Sequence, residues 1–296
     1  MAESKDIIFT HKDLDGVVSY ITLGWILNYK PKIYSTTPNT MLENLKGWLM
    51  NNKYEDYRKV FFLDLDTSIL GDLIDKENVV IIDHHATNTF EYKNAKTLIK
   101  NYTSCAKLLQ DTMGKDKPFT NAQKVLIALA DDYDCAAKKT PVSYDLNIVF
   151  HGTNKKIESF IENYWEGFKP FDKFQQNMIN LYKSSRDEYV NQDRAIFGGV
   201  MKIKDTEYKV VSTVSNDYVQ EMADYLIDKY QADVVFIVIT RSGKVTLRKK
   251  KGCELDLSKL AERLCDGGGH KDASGGSATT EAFQLFTKTL RLINVA

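Results

Sequence analysis

Long apolar runs are missing from this 296-residue chain. No segment approaches the roughly 18 consecutive apolar residues that span a bilayer, and the opening MAESKDIIFT lacks the basic-then-apolar order of a secretory signal. Membrane insertion and secretion are therefore not expected. Cysteine is scarce: Cys105, Cys135, Cys253 and Cys265 have neither C-x-x-C spacing nor the density of a disulfide scaffold, which fits free thiols in a reducing cytoplasm. Neither sign of charge is in excess. Forty Lys and Arg balance forty Asp and Glu, which argues against a broad basic footprint for long duplex DNA and leaves room for a local pocket for a short anionic ligand. Internal repeats and low-complexity tracts are also lacking. Histidine occurs only five times, yet two stand side by side in I-I-D-H-H-A-T-N, residues 81–88.

What is present is an ordinary globular composition, 43% apolar and 27% charged, enough for a substantial core in two domains. Short β-branched runs at 6–11, 32–37, 59–65 and 78–84 alternate with helically spaced stretches at 16–27 and 40–50. That alternation predicts an α/β fold, with a parallel-sheet N-terminal domain and crossover helices over 1–170. Residues 171–194 read as a linker helix. Residues 195–296 read as a smaller α/β domain, with strands at 196–203, 208–214, 232–240 and 244–248 and helices near 217–230, 256–265 and 280–293.

In open parallel sheets, ligands bind beyond the carboxyl ends of the strands. Three strands here end in candidate ligands. The first leads into His11, Asp13 and Asp15, which an extended chain would point to one side, with Gly16 permitting the turn into a helix. The second ends at Asp64 and the third at Asp83, His84 and His85. Asp131, Asp132 and Asp134 follow the apolar segment VLIALA. So many carboxylates in one crevice would repel one another unless cations intervened, and carboxylates with imidazoles but no thiolates suit Mn²⁺ better than a structural zinc. A lone strand-end aspartate is more often a cap or turn former. Three histidines at strand ends beside acids are not explained that way. His151 has no such company and reads as a loop or core residue.

A second signal is DGGGHKDASGGS at 266–277. Consecutive glycines let backbone N–H groups approach an anion, and His270 could donate to a phosphate. Arg248, ending the strand KVTLR, could clamp a phosphate bidentately. Lys249, Lys250 and Lys251 read as a solvated turn.

H-K-D-L-D-G at 11–16, Asp64, D-H-H at 83–85 and D-D-Y-D at 131–134 resemble the four ordered motifs of the DHH phosphoesterase superfamily. G-G-G-H-K-D-A-S-G-G at 267–276 resembles the DHH-associated domain of its RecJ and nanoRNase branches. The resemblance implies two divalent ions, most naturally Mn²⁺: one held by His11, Asp13 and Asp64, the other by Asp15, Asp64, His84 and Asp132, with Asp64 bridging. It implies that Asp83 orients a histidine and that His85 contacts the scissile phosphate, while Arg248, Gly267, Gly268, Gly269 and His270 hold a second phosphate as the domains close. The implied reaction is two-metal hydrolysis of short oligonucleotides or of linear or cyclic dinucleotides, by a chain that could form a homodimer. RecJ-like exonuclease, inorganic pyrophosphatase and a noncatalytic nucleotide-binding module are the alternatives. The Asp-Tyr-Asp form departs from the Asp-Thr-Gly of many nanoRNases, so the substrate of that branch does not transfer directly.

Overall fold

Helices cover both faces of the N-terminal sheet, which is why its strands are nearly continuous apolar runs. The computed structural model describes residues 6–135, 140–152, 157–280, 282 and 291–294. Two compact units divide the chain, Met1–Ile179 and Asn180–Ala296.

The first unit runs β1 (Asp6–His11), α1 (Leu14–Leu27), β2 (Lys32–Thr36), α2 (Met41–Leu49), β3 (Lys59–Leu63), β4 (Val79–Asp83) and β5 (Lys96–Ile99). There follow α3 (Cys105–Asp111), α4 (Asn121–Asp134), α5 (Pro141–Gly152), α6 (Ile157–Tyr164) and α7 (Lys173–Asn191), and the division between units falls within α7. All five strands are parallel, in the order β2-β1-β3-β4-β5. β1 has β2 on one side and β3 on the other, so chain order reverses there and a crevice opens beyond the strand ends.

Alternation along the strands sorts the core. Ile7, Phe9, Val60, Phe62, Val79 and Ile81 cluster with Met41, Leu45 and Trp48 of α2. Phe9 stacks on Phe62 at 5.0 Å and meets Trp48 edge-on at 5.2 Å. In α1 every residue from Leu14 to Ile26 is buried, as expected of a helix that is apolar all round. Asp13 caps it by accepting from the Gly16 N–H at 2.9 Å. A Cβ on Gly16 would lie 2.4 Å from the His11 carbonyl oxygen, so only glycine lets the helix start this close to the strand end. The extended run expected from His11 through Asp15 therefore stops short: Asp15 already lies in the first helical turn.

At the opposite end of the sheet, buried Asp6 accepts from Arg58 Nε and Nη2 at 3.0 and 2.7 Å, from the Lys59 N–H at 3.1 Å and from the Tyr29 hydroxyl. This pins β1, β3 and the chain between α1 and β2 together.

The second unit contains β6 (Ile196–Ile203), β7 (Thr206–Val214), α8 (Val219–Tyr230), β8 (Val234–Ile239), β9 (Lys244–Lys249), α9 (Leu257–Cys265), β10 (Gly268–His270), β11 (Ala273–Ser277) and β12 (Arg291–Asn294). They form a mixed sheet in the order β10-β11-β9-β8-β7-β6-β12, in which β7 and β8 are the parallel pair. Met222, Ala223 and Leu226 of α8 cluster with Val211, Val235 and Ile237. Leu257, Leu260 and Ala261 of α9 cluster with Val210, Phe236 and Leu247.

Three expectations change. Two others do. The helix expected at 280–293 falls largely outside the described residues, and its last residues belong to strand β12. Lys249 is not in a solvated turn. Its ammonium donates to the Leu255 carbonyl and pairs with Asp272, each at 2.7 Å, with a side chain only 7% exposed. The four cysteines are unbridged, and no helix among the described residues is long and apolar enough to cross a membrane.

Candidate functional site

β1 delivers His11 to the crevice, the cap of α1 delivers Asp13, its first turn delivers Asp15, and β3 and β4 run directly into Asp64 and His84. Three sets of potential ligand atoms, each mutually within 4.8 Å, result: His11, Asp13 and Asp64; Asp15, His84 and Asp134; and Asp64, His84 and His85. His11 Nδ1 lies 2.8 Å from Asp13 Oδ2. His84 Nε2 lies 3.2 Å from Asp64 Oδ1, 3.5 Å from Asp134 Oδ2 and 3.9 Å from Asp15 Oδ2.

Asp64 sits at the centre. It is 2% exposed, and its backbone is left-handed at φ 56, a conformation that Asp and Asn tolerate better than most residues. Oδ2 is buried without a hydrogen-bond donor, its nearest cation being His11 Nδ1 at 3.7 Å. An unsatisfied buried polar atom costs about 1–3 kcal/mol. A carboxylate aimed into a ring of acids and imidazoles, with one oxygen unpartnered, fits a divalent cation. Asp15, also buried, is aimed by the Cys105 and Ala106 N–H groups at 2.7 and 3.1 Å.

The electrostatics agree with that fit. Burial alone would depress His11 and His84, but the surrounding carboxylates outweigh it and push both up to about 10. Burial would raise Asp64, yet His11 and His84 hold it down at about 2. Burial and then the neighbouring Asp64 push Asp134 up to about 7, and the same two causes raise Asp15. Without ions, then, protons on the two imidazoles balance the acids. Cations would displace them.

The fourth motif differs from expectation. Asp132, the ligand expected there, sits on the α4 row that continues Leu126 and Leu129 into the interior, where its Oδ2 accepts from Ser143 Oγ at 2.7 Å and the Thr140 N–H at 3.1 Å. Asp131 accepts from Thr103 and Ser104 hydroxyls at 2.5 and 2.8 Å. The structure brings Asp134 to the cluster instead. Its row on α4 follows Ile127 and Ala130, a pattern readable from helical spacing once the helix is known to reach residue 134.

Both adjacent histidines are held by their δ nitrogens. His84 Nδ1 is 3.2 Å from the Tyr102 carbonyl oxygen and so donates to it, leaving Nε2 as a lone pair toward the acids. His85 Nδ1 is 2.7 Å from Asp83 Oδ1, with its ring 42% exposed. Asp83 is fully buried and also accepts from the His84 N–H at 2.8 Å. One residue escaped the sequence reading: Asn88, whose Nδ2 donates to Asp83 Oδ2 at 2.9 Å and reaches the Leu65 carbonyl and Thr67 Oγ1 at 3.3 Å. Its signal was its place three residues beyond His85. Asn88→Ala should leave Asp83 half supported and lower kcat by about tenfold to a hundredfold at saturating metal. Steady-state kinetics giving the wild-type kcat would show that Asp83 needs no such support.

A second cleft, of about 540 Å³, lies in the C-terminal unit and is lined by Arg248, Thr246, Gly268, Ser274 and the neighbouring glycines of β11. Arg248 stands opposite Ala273, and its Nη1 donates to Thr246 Oγ1 and the Leu247 carbonyl, both at 3.0 Å. The three expected glycines divide their roles. A Cβ on Gly267 would meet the Gly275 carbonyl oxygen at 2.0 Å, and Gly269 adopts φ +136, so both are demanded by the hairpin. Gly268 faces open space and is the one that lines the cleft. His270 lies on β10 opposite Ala273.

Comparison with known proteins matches residues 206–294 to the DHHA1 domain. Over 306 aligned residues the chain is 24% identical to oligoribonuclease NrnB of Bacillus subtilis (strain 168), covering 94% of this chain and 74% of that protein. The pGpG-specific phosphodiesterase PggH from Vibrio cholerae superposes with a TM-score of 0.56 at 14% identity over 96% of both chains. RecJ in complex with Mn²⁺ from Thermus thermophilus gives 0.56 at 16% identity, over 95% of this chain and 50% of that one. With strand-end acids and histidines on this parallel sheet and a DHHA1 domain following them in sequence, the chain belongs to the DHH superfamily of phosphoesterases.

Proposed function

We propose that this protein is a Mn²⁺-dependent phosphodiesterase that hydrolyses short oligonucleotides, with dinucleotides as its best substrates. The observation that carries the reading is Asp64, a buried carboxylate with one unpartnered oxygen, standing between two ligand sets. One ion would be held by His11, Asp13 and Asp64, the other by Asp15, Asp64, His84 and Asp134. Oxygen and imidazole donors favour Mn²⁺. Cys105 is close by, but burial raises its thiol far above the usual range and its Sγ donates to the Ile82 carbonyl at 3.4 Å, so it stays a neutral bystander. When bound, such a pair of ions supplies a water acidic enough to attack phosphorus and neutralises the charge of an in-line displacement.

The chain's own residues do the rest. His85, fixed through Nδ1 on Asp83 and half exposed, presents Nε2 to a nonbridging phosphate oxygen. Arg248 and the open wall at Gly268 bind a further phosphate of the substrate. The names of NrnB and PggH, an oligoribonuclease and a pGpG phosphodiesterase, support a short nucleotide chain as substrate. A panel with Mn²⁺ tests this: pApA, pGpG, longer RNA, single-stranded DNA, a cyclic dinucleotide, phosphoadenosine phosphate and pyrophosphate. The linear dinucleotides should give the highest kcat/KM, falling with length. Turnover of pyrophosphate alone, or a rate that rises with polymer length, would overturn the reading.

Two further outcomes follow from the site. Gly268→Leu fills open space without touching the hairpin, so it should fold normally and, like Arg248→Ala, lower kcat/KM at least tenfold, about 1.4 kcal/mol, with Mn²⁺ affinity unchanged. Wild-type kinetics in both variants would mean that the cleft holds no substrate. Because His11 and His84 are protonated up to about 10 in the ion-free protein, Mn²⁺ binding at pH 7 should release protons, and affinity should climb as pH rises toward that value. Calorimetry in buffers of different ionisation enthalpy reads the release, and a buffer-independent heat would contradict it.

A further inference from the structure

The N-terminal unit has a second cavity, of about 440 Å³, that the proposed chemistry does not use. Its walls are Trp25, Tyr29, Lys30, Lys117, Phe119 and Trp165, with backbone from the end of α1 and the start of α4, and no acidic residue lines it. Both helices run from this cleft toward the metal centre: α1 begins with Asp15 and ends here, and α4 begins here and ends with Asp134. Fourteen residues of helix separate the two places by about 20 Å.

The aromatic wall is rigid. Trp25 Nε1 donates to the Trp165 carbonyl at 2.6 Å, and the Trp165 ring lies so close over Gly24 that a Cβ there would come within 2.3 Å of it. Phe119 meets Trp25 edge-on at 6.2 Å. Lys30 holds its ammonium 4.7 Å from the Trp165 ring centre, a cation parked on an aromatic face. Neither Lys30 nor Lys117 has a carboxylate partner among the described residues. Arg58, over the Tyr29 ring at 5.7 Å, is already committed to Asp6.

We propose that this cleft binds a nucleoside monophosphate, its base against the indole and phenyl wall and its phosphate between Lys30 and Lys117. Flat preformed aromatic surface recognises a planar ring with little loss of side-chain freedom, and two ammonium groups with no acid nearby recognise a phosphate. The choice of a mononucleotide, the product class of a phosphodiesterase, rests on the function proposed above; the recognition of an aromatic phosphate does not.

Tryptophan fluorescence provides the test, since two of the three tryptophans line the cleft and Trp48 lies in a separate core cluster. In EDTA, without turnover, AMP should quench the full chain saturably. Adenosine and inorganic phosphate should each bind at least tenfold more weakly. Lys30→Glu with Lys117→Glu should abolish the AMP effect while leaving Mn²⁺-dependent hydrolysis at its wild-type initial rate. The milder Lys30→Gln with Lys117→Gln, checked by circular dichroism, covers any folding defect of the charge reversal. Arg248→Ala should quench like wild type, which separates this cleft from the one in the C-terminal unit. No saturable quenching, equal affinity for adenosine and AMP, or quenching untouched by both lysine pairs would overturn the proposal. A chain that binds AMP but cleaves no dinucleotide would sink only the function proposed above.

Discussion

Asp64→Asn should abolish hydrolysis, by at least about a thousandfold (roughly 4 kcal/mol), and leave the chain folded. Asparagine is the informative replacement. It keeps the shape of the side chain and tolerates the left-handed φ of 56 at this position, whereas alanine would add backbone strain to the loss of charge. The carboxylate is the one group shared between the His11–Asp13 set and the set that includes His84, so its neutralisation weakens both candidate ion sites at once. The same change removes the anion that helps hold His11 and His84 protonated, and both imidazoles should titrate lower in the variant. Kinetics across a Mn²⁺ titration separates the effects: loss that excess Mn²⁺ cannot restore fits a bridging ligand, while full rescue would mean that Asp64 only tunes affinity.

The second large effect distinguishes two aspartates that stand two residues apart. Asp134→Asn should cost at least a hundredfold in kcat/KM, about 2.7 kcal/mol, because Asp134 faces His84 and Asp15. Asp132→Asn should leave activity per folded molecule near wild type. Its cost belongs to stability: the charged acceptor for Ser143 Oγ and the Thr140 N–H is lost, about 1–3 kcal/mol, seen as a lower melting temperature. The reverse outcome, a dead Asp132 variant and an active Asp134 variant, would restore the expectation drawn from the motif alone.

That pair shows where sequence reading ran out. The parallel sheet and the strand-end site were legible because buried strands are unbroken apolar runs that stop abruptly at His11, Asp64 and Asp83, and such stops are rare. Three acids within four residues of a helix cannot be sorted by spacing until the helix's buried side is known. Only Ser143, from the next helix, identifies Asp132 as structural. The hairpin of β10 and β11 was hidden for a different reason: glycine and serine carry no strand propensity, and pairing with β9 imposes the extended form on them. β5 is four residues long, half of them exposed, and shows no apolar alternation. Lys249 misled because a basic run next to a glycine resembles a solvated turn, whereas Asp272, distant in sequence, closes over it.

The dinuclear reading of Asp64 is tested most directly by anomalous diffraction at the manganese edge from crystals of the protein grown with Mn²⁺. Two peaks are expected, one against His11 and Asp13 and one against Asp15, His84 and Asp134, with the Asp64 carboxylate between them. A single peak, or ions bound away from Asp64, would contradict the account.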